Sequence, residues 1–415
     1  MESIQIISEI LGLINNNPIL STVIVAMTSG AIGTGVFSFL RRPKSSQPET
    51  DTYFNNSELL APPIKRPAYS DRMAHVLAEM SDLAYFEFEG EGGAILNAVE
   101  NFQKLTNKDN DEIKKFLESF TQDLMGNRAL NTSVLEKILK ASYFELIDTI
   151  NVGEVQGFAC KYVKPNEPSY VVIAFRGTEK KISDWLTDVD AVPTVVDKTK
   201  VHSGFNKAFN IIKDQNDKTA KDRVEEIMKS QDAKDANGVV LPLFIAGHSL
   251  GGALALLATK HLAFDITGAC YTFGAPRVAN YEYFDKVKTP VYRVVNSSDI
   301  VPRVPPGAGI IIFINLFKLM SWLTKFIPVL STVFEKIENF LDKLNGYRHI
   351  GDMRYLTDVA SNKFETVKLL SNPPAIDRVM WLWQHLAASL FFPVSSHSMK
   401  VYRKKLLYIA YSRNS

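Results

Sequence analysis

Residues 241–262 read LPLFIAGHSLGGALALLATKHL, and no other stretch of the 415-residue chain narrows its folding options as far. A mostly apolar run enters a glycine-bracketed turn, and an alanine- and leucine-rich stretch leaves it. The turn holds Gly247-His248-Ser249-Leu250-Gly251, a G-x-S-x-G pattern. Placed between a strand and a helix, this pattern sets a serine hydroxyl on a sharp turn above a sheet. Neighbouring backbone comes very close there, so Gly247, Gly251 and Gly252 stand where a side chain would clash. The following helix directs its first N–H groups toward any negative charge that develops beside Ser249. The pentapeptide alone is weak; the strand before it and the helix after it give it meaning.

The surrounding pattern repeats that alternation. Short β-type runs occur at 157–163, 170–175, 241–246, 268–273 and 291–296, several nearly continuous in apolar residues, as expected of strands buried on both faces. Helical periodicity occupies 203–213, 219–230 and 250–264, so the predicted core is a mostly parallel α/β sheet. Upstream, Met73, Val76, Leu77, Met80 and Leu83 fall at three- and four-residue steps and predict a helix over 72–84. Residues 94–140 show charged amphipathic patterns and no strand signal.

Composition excludes several classes. Hydrophobic residues make up 46% and charged ones 22%, which removes disordered and fibrous chains. With 47 basic against 45 acidic residues the net charge is +2, too small a surplus for phosphate neutralisation along a nucleic acid. Cys160 and Cys270 are too few for a disulfide scaffold or a four-cysteine zinc site. No ligand cluster suggests a metal. A mean hydropathy of −0.04 removes a polytopic membrane protein but leaves room for one span.

One such span is predicted. Residues 18–40 carry no charge, and Arg41, Arg42 and Lys44 follow directly. At 1.5 Å per residue the stretch reaches the roughly 30 Å of a bilayer core. The basic cluster after it predicts an uncleaved anchor with the remainder of the chain on the cytoplasmic side; the alternative is a buried core helix. The expected organisation is a membrane anchor over 1–42, a tether over 43–68 with five prolines, and one large domain over 69–415.

A serine hydroxyl needs a base, and the base an orienting acid. Downstream of Ser249 lie His261, His349, His385 and His397. His261 sits on the helix leaving the turn, about three turns on, and His385 lies in the apolar WLWQHLAASLFF, where a packed histidine is expected. Pattern leaves His349 and His397 open. Asp299 follows the run VYRVVN and precedes VPRVPP, a strand-end loop suited to a catalytic carboxylate. Asp285, Asp358 and Asp377 read as surface acids, and Asp352 stays open.

AFRGT at 174–178, Trp185, HSGF at 202–205, GHSLGG at 247–252, FGAPRV at 273–278, NSSDIVPRVPP at 296–306, YRHIG at 347–351 and HSMKVY at 397–402 follow one another in order. Together they resemble the class 3 lipase family, whose founding members are fungal triacylglycerol lipases, over roughly residues 70–412. The resemblance implies an α/β-hydrolase fold with Ser249 as nucleophile, Asp299 as acid and His397 as base, the last in an H-x-x-x-x-Y context. It also implies an oxyanion hole of Thr178 and the Leu250 N–H, supporting roles for His349 and Trp185, and no metal or cofactor.

The chain departs from that family pattern between VPRVPP and YRHIG. Residues 307–346 open with GAGIIIFINLFKLMSWLTKFIPVLSTVF, interrupted only by Lys318 and Lys325. Charge at a bilayer centre is costly, so a plain span is disfavoured. The run reads as an apolar helical insertion: an interfacial pair with snorkelling lysines and Trp322 at the boundary, or a buried cap bordering the acyl-binding mouth. A second apolar patch occupies 379–393. Anchor plus insertion predicts a membrane phospholipase A1 or acylglycerol lipase acting on bilayer glycerolipid. Alternatives are a catalytically silent signalling or scaffold protein, and a membrane-damaging toxin or defence effector of the same chemistry.

Overall fold

A computed structural model describes residues 54, 68–85, 132–177, 193–196, 199–262, 268–297, 299–305, 310–323, 325, 328–343, 345–357, 364–374, 377–378, 381 and 394–414. The predicted anchor at 18–40, nearly all of the tether, Thr178, Trp185, His385 and most of the 379–393 patch lie outside the described residues.

Eight strands form one sheet in the order β1 (Phe144–Val152), β2 (Val155–Tyr162), β3 (Tyr170–Phe175), β6 (Leu243–His248), β7 (Ala269–Phe273), β8 (Val291–Asn296), β9 (Asp352–Leu356) and β10 (Leu369–Ser371). The five strands from β3 to β9 run parallel, while β1, β2 and β10 add antiparallel edges. A separate ribbon pairs β4 (Pro193–Val196) with β5 (Thr199–His202). The mostly parallel reading therefore holds for the centre and not for the edges. The strands that sequence pattern passed over explain why. FELIDTINV of β1 mixes charge with apolar residues because most of it is only half-buried, and β9 is a five-residue DMRYL.

Alternation along each central strand feeds two cores. Phe158, Cys160, Val172, Ala174, Phe244, Ala246, Tyr271 and Phe273 pack on one face against α1 (Asp71–Leu83) and the last helix, Met399–Asn414. Val171, Ile173, Phe175, Leu243, Ile245 and Cys270 pack on the other face. They meet α2 (Ser203–Asn210), α3 (Ala220–Lys229) and α4 (Leu250–His261). Fully burying each large apolar side chain contributes about 1.5–3 kcal/mol, so both layers are energetically substantial. Of the predicted helices, α1 starts where the Ser70 hydroxyl accepts from Met73 N–H, and α3 starts at a Thr219–Asp222 capping box.

Residues 310–343 form two helices packed on each other, α5 (Ile310–Leu323) and α6 (Pro328–Lys343). Ile314, Val333 and Phe334 are buried, whereas Leu319 and Trp322 are exposed. Lys318 faces Glu338 across the pair at 3.6 Å. Among the described residues no helix is long and apolar enough to cross a membrane. The last helix, α7 (Met399–Asn414), is tied to α1 by Arg403, whose guanidinium meets Glu79 at 2.6 Å and Asp82 at 2.5 Å in a buried setting. Removing one partner of such a buried pair typically costs about 3–5 kcal/mol. This tie matters for function because α7 carries the residues next to His397.

Candidate active site

Ser249 lies between the end of β6 and the start of α4 with φ 58° and ψ −125°. A residue with a side chain is strained there, and such strain concentrates at functional sites. Two backbone bonds hold the turn: Ser249 N–H to the Phe273 carbonyl at 2.9 Å, and Gly252 N–H to the Ser249 carbonyl at 3.0 Å. The glycines serve space rather than left-handed backbone. A Cβ on Gly247 would strike the Gly251 backbone, one on Gly251 the Phe175 carbonyl, and one on Gly252 would come within 2.6 Å of the Ala275 side chain. Leu250 is the first residue of α4, where helix geometry leaves its N–H without an intrahelical acceptor.

Asp299 sits in the turn after β8 and is almost completely buried, at 1% exposure. Its Oδ1 accepts from Val301 N–H at 2.9 Å. Its Oδ2 accepts from His397 Nδ1 at 2.8 Å and from the Tyr402 hydroxyl at 2.6 Å. An ionised carboxylate only accepts, so Nδ1 carries the proton and Nε2 of neutral His397 is left as an acceptor. That Nε2 is buried and has no partner, and the same holds for Ser249 Oγ. No hydrogen bond joins Ser249 to His397 in this structure; each presents an unused polar atom. A Cβ on Gly274 (φ +59°) would lie 2.6 Å from Asp299 Oδ2 and 3.1 Å from His397 Cε1, so only glycine leaves room for that pair.

A further ring of side chains fixes the imidazole. His248 Nε2 donates to the His397 carbonyl at 2.7 Å, and its Nδ1 accepts from the Tyr85 hydroxyl at 2.7 Å. The two imidazoles lie 4.5 Å apart between ring centroids. Burial first, then the neighbouring His397 imidazole, pushes His248 well below the ordinary histidine range, which keeps it neutral and its tautomer fixed. Asn296, the last residue of β8, donates its backbone N–H to the Tyr402 hydroxyl oxygen at 2.9 Å and its side-chain amide to the Ser396 carbonyl at 2.7 Å. Lys405 of α7, buried at 2% exposure, closes the ring by donating to Asn296 Oδ1 at 2.6 Å and to the Thr357 carbonyl at 2.8 Å.

Residues 172–308 match the family model described as lipase (class 3). Over that segment the chain is similar to the class 3 lipase family. Triacylglycerol lipase OBL1 of Ricinus communis is 27% identical over 270 residues, 48% of this chain and 51% of that protein. The lipase of Rhizomucor miehei is 33% identical over 150 residues, 33% of this chain and 38% of its own. A phospholipase A1, the chloroplastic Igamma2 form of Arabidopsis thaliana, is 30% identical over 163 residues, 32% of this chain and 30% of that one. The matches thus span about half or less of each relative. The matched segment contains Ser249 and Asp299 and stops well short of His397.

The other histidines go elsewhere. His349 Nε2 donates to the Pro302 carbonyl at 2.6 Å, bracing the short helical turn Val301–Arg303 that follows Asp299. Burial and the charges of Arg293 and Arg277 push it well below its ordinary pKa. His261 stacks on Phe209 of α2, away from the unused Ser249 and His397 atoms. Asp352 is an exposed acid at the start of β9, 3.9 Å from Arg354. Among the described residues no three His, Cys, Asp or Glu side chains are grouped to hold a metal ion. Sequence reasoning missed the ring around the imidazole. His248 is the variable residue of the G-x-S-x-G pattern, Tyr402 the tyrosine of H-x-x-x-x-Y and Asn296 the first residue of NSSDIVPRVPP, so all three stand in quoted motifs; Tyr85 and Lys405 carry no signal.

Proposed function

We propose that this protein hydrolyses carboxylic esters of glycerolipids, as a phospholipase A1 or acylglycerol lipase, through an acyl-enzyme on Ser249. The observation that carries the reading is the buried Asp299–His397 hydrogen bond at 2.8 Å, with His397 Nε2 and Ser249 Oγ both buried and unpaired. His397 Nε2 takes the hydroxyl proton as Ser249 Oγ attacks the ester carbonyl, and Asp299 holds the tautomer and stabilises the imidazolium. The Leu250 N–H, with Thr178, receives the oxyanion, an interaction whose loss typically costs about 100- to 1000-fold in rate. His397 then returns the proton to the departing alcohol oxygen. Water attacks the acyl group, and the fatty acid leaves.

The names of the relatives, a triacylglycerol lipase and a phospholipase A1 among them, support a glycerolipid ester as substrate. Two features favour a bilayer as its source: the uncharged 18–40 stretch in the sequence, and the exposed Leu319 and Trp322 on the α5–α6 pair. On this reading the chain is anchored with its large domain on the cytoplasmic side. Purified full-length protein is assayed on phospholipid and diacylglycerol vesicles and on a short water-soluble ester, with Ser249→Ala alongside. Fatty-acid release from vesicles that vanishes in Ser249→Ala is expected. Hydrolysis confined to the soluble ester removes the membrane part of the proposal, and equal fluorophosphonate labelling of both proteins removes the catalytic part.

A further inference from the structure

Five arginines from five separate pieces of chain lie within electrostatic reach of one another: Arg277 after β7, Arg293 within β8, Arg303 after Asp299, Arg348 before β9, and Arg378 beyond β10; Arg277 bonds the Arg303 carbonyl, and Arg378 touches Met353, the β9 neighbour of Arg293. Each is partly buried. Arg293, Arg378, Arg303 and Arg348 all act on the charge of Arg277, and Arg378 also acts on Arg293, Arg303 and His349. Burial and this mutual repulsion push Arg277 and Arg293 down to about 10. A guanidinium still stays charged at neutral pH, so the cluster cannot relieve itself by losing protons.

Its partners in the fold are neutral. Arg277 donates to the carbonyls of Arg303 at 2.5 Å and Pro305 at 2.6 Å, and Arg303 to that of Ser297 at 3.2 Å. Arg348 donates to the Tyr347 carbonyl at 2.8 Å, and Arg378 approaches the Met353 sulfur at 3.8 Å. His349 already gives its Nε2 proton to Pro302. The Nε–H groups of Arg293, Arg303 and Arg378 are buried with no partner. Two described carboxylates act on the cluster, Asp299 and Asp352. Asp299 is committed to His397, Tyr402 and Val301. The Asp352 side chain is 58% exposed and faces Arg354. Among the described residues, five partly buried cations face one spent and one solvated carboxylate, an unbalanced arrangement, and buried charge is retained where something pairs it.

We propose that this arginine cluster is a phosphate-binding site, taking the oxygens of a phosphate mono- or diester beside the Asp299 turn. Guanidinium forks match phosphate oxygens two at a time, and the three donors now without acceptors can be met by the several oxygens a phosphate presents. The phosphate could be free or part of a lipid headgroup. Only the headgroup source rests on the glycerolipid reading above; the anion site does not.

The test uses full-length Ser249→Ala protein, so that turnover does not intervene. Thermal midpoints are measured in inorganic phosphate against chloride at equal ionic strength, and with dihexanoylphosphatidylcholine against dihexanoylglycerol below their micelle concentrations. A phosphate ligand at about 100 times its Kd favours the folded state about 100-fold, a rise of several degrees. Arg378→Gln and Arg293→Gln, each added to Ser249→Ala, are expected to abolish the rise and, in chloride, to melt above their parent because one repelling charge is gone. A response to inorganic phosphate alone supports a free-anion site, and a response to the phospholipid but not the diglyceride supports headgroup recognition. Absence of any phosphate-dependent rise, or an equal rise in both arginine variants, overturns the proposal whether or not the wild type hydrolyses lipid. Should Arg378→Gln fail to fold, Arg378→Lys keeps the charge and loses the fork; an unchanged response there also overturns it.

Discussion

Replacing Ser249 by glycine should make the protein more stable than replacing it by alanine, although both remove the same hydroxyl. Ser249 holds φ 58° and ψ −125°, a region open to glycine and strained for any residue with a Cβ. Strain of this kind amounts to about 1–3 kcal/mol. Glycine returns about 0.5–1 kcal/mol of that through the greater freedom of its unfolded chain. The difference leaves Ser249→Gly ahead of Ser249→Ala by about 0.5–2 kcal/mol, a few degrees in midpoint for a domain of this size. Because neither variant has a nucleophile, hydrolysis of a fluorogenic ester should fall to the same background in both. Urea titration of the two proteins reads the difference directly, with equal slopes showing that the unfolded states are comparable. A Ser249→Gly midpoint at or below that of Ser249→Ala would mean that the turn is not strained, and the link between backbone geometry and an exposed hydroxyl would fail.

Further consequences follow from the groups around the turn. Asp299→Asn keeps the shape but cannot fix the His397 tautomer, and a drop in kcat of about four orders of magnitude is expected, as in other serine–histidine–aspartate sites, with little change in KM. Tyr85→Phe removes the donor to His248 Nδ1; the loss of about 1–1.5 kcal/mol predicts a kcat reduction of about tenfold, and an unchanged kcat would remove His248 from the positioning of the base. His75 and His202 are held down at about 3 chiefly by burial, and His248 and His349 well below their ordinary value for the same first reason. Between pH 6.5 and about 3 the unfolded chain therefore binds more protons at these sites, so their contribution to stability is present above pH 6.5 and is lost on acidification. Glu79, raised to about 7 by burial, works in the opposite sense between about 4.5 and 7 and offsets one of them there. Urea midpoints across this range should fall toward acid, less steeply in His202→Phe; a flat profile would contradict the burial. Both cysteines are buried and their thiols pushed up by desolvation, so iodoacetamide should label native protein far more slowly than denatured protein, as mass spectrometry can follow.

What sequence can reveal here depends on how local the cause is. Strands β3, β6, β7 and β8 are legible because both faces are buried, which leaves almost no choice but apolar residues. The serine turn is legible because its crowding is set within six residues, where a side chain on Gly247 would meet Gly251. By contrast β1 follows no simple alternation, its burial being decided by how far the edge is covered. The choice between His349 and His397 could not be made from pattern either. It turns on the docking of α7, which brings an imidazole to a carboxylate 98 residues earlier in the chain. Lys405 is invisible for the same reason: a buried lysine reads as an ordinary helix residue until Asn296 Oδ1 and the Thr357 carbonyl are found beside it. The lysines of the 307–346 insertion read as groups seeking a headgroup; Lys318, its side chain 57% exposed, also lies 3.6 Å from Glu338 across the helix pair, a contact no local pattern encodes.

The division between satisfied and unsatisfied groups around Ser249 has a physical logic. Each polar atom that fixes the geometry is paired: Asp299 has three donors, His248 is bonded at both nitrogens, and Lys405 bridges a side chain and a carbonyl. The two atoms between which the proposed mechanism moves a proton, Ser249 Oγ and His397 Nε2, are both buried without partners. Leaving a buried polar atom unpaired costs about 1–3 kcal/mol, and a fold selected only for stability would fill or remove both. Here the surrounding network holds the imbalance in place, because moving His397 toward any other acceptor would break its bonds to Asp299 and, through its carbonyl, to His248. On the proposed mechanism, an entering ester restores the missing interactions only as its carbonyl is attacked and the serine proton moves to the imidazole. The unpaired atoms therefore raise the free energy of the empty site relative to the transition state, which is the direction catalysis requires.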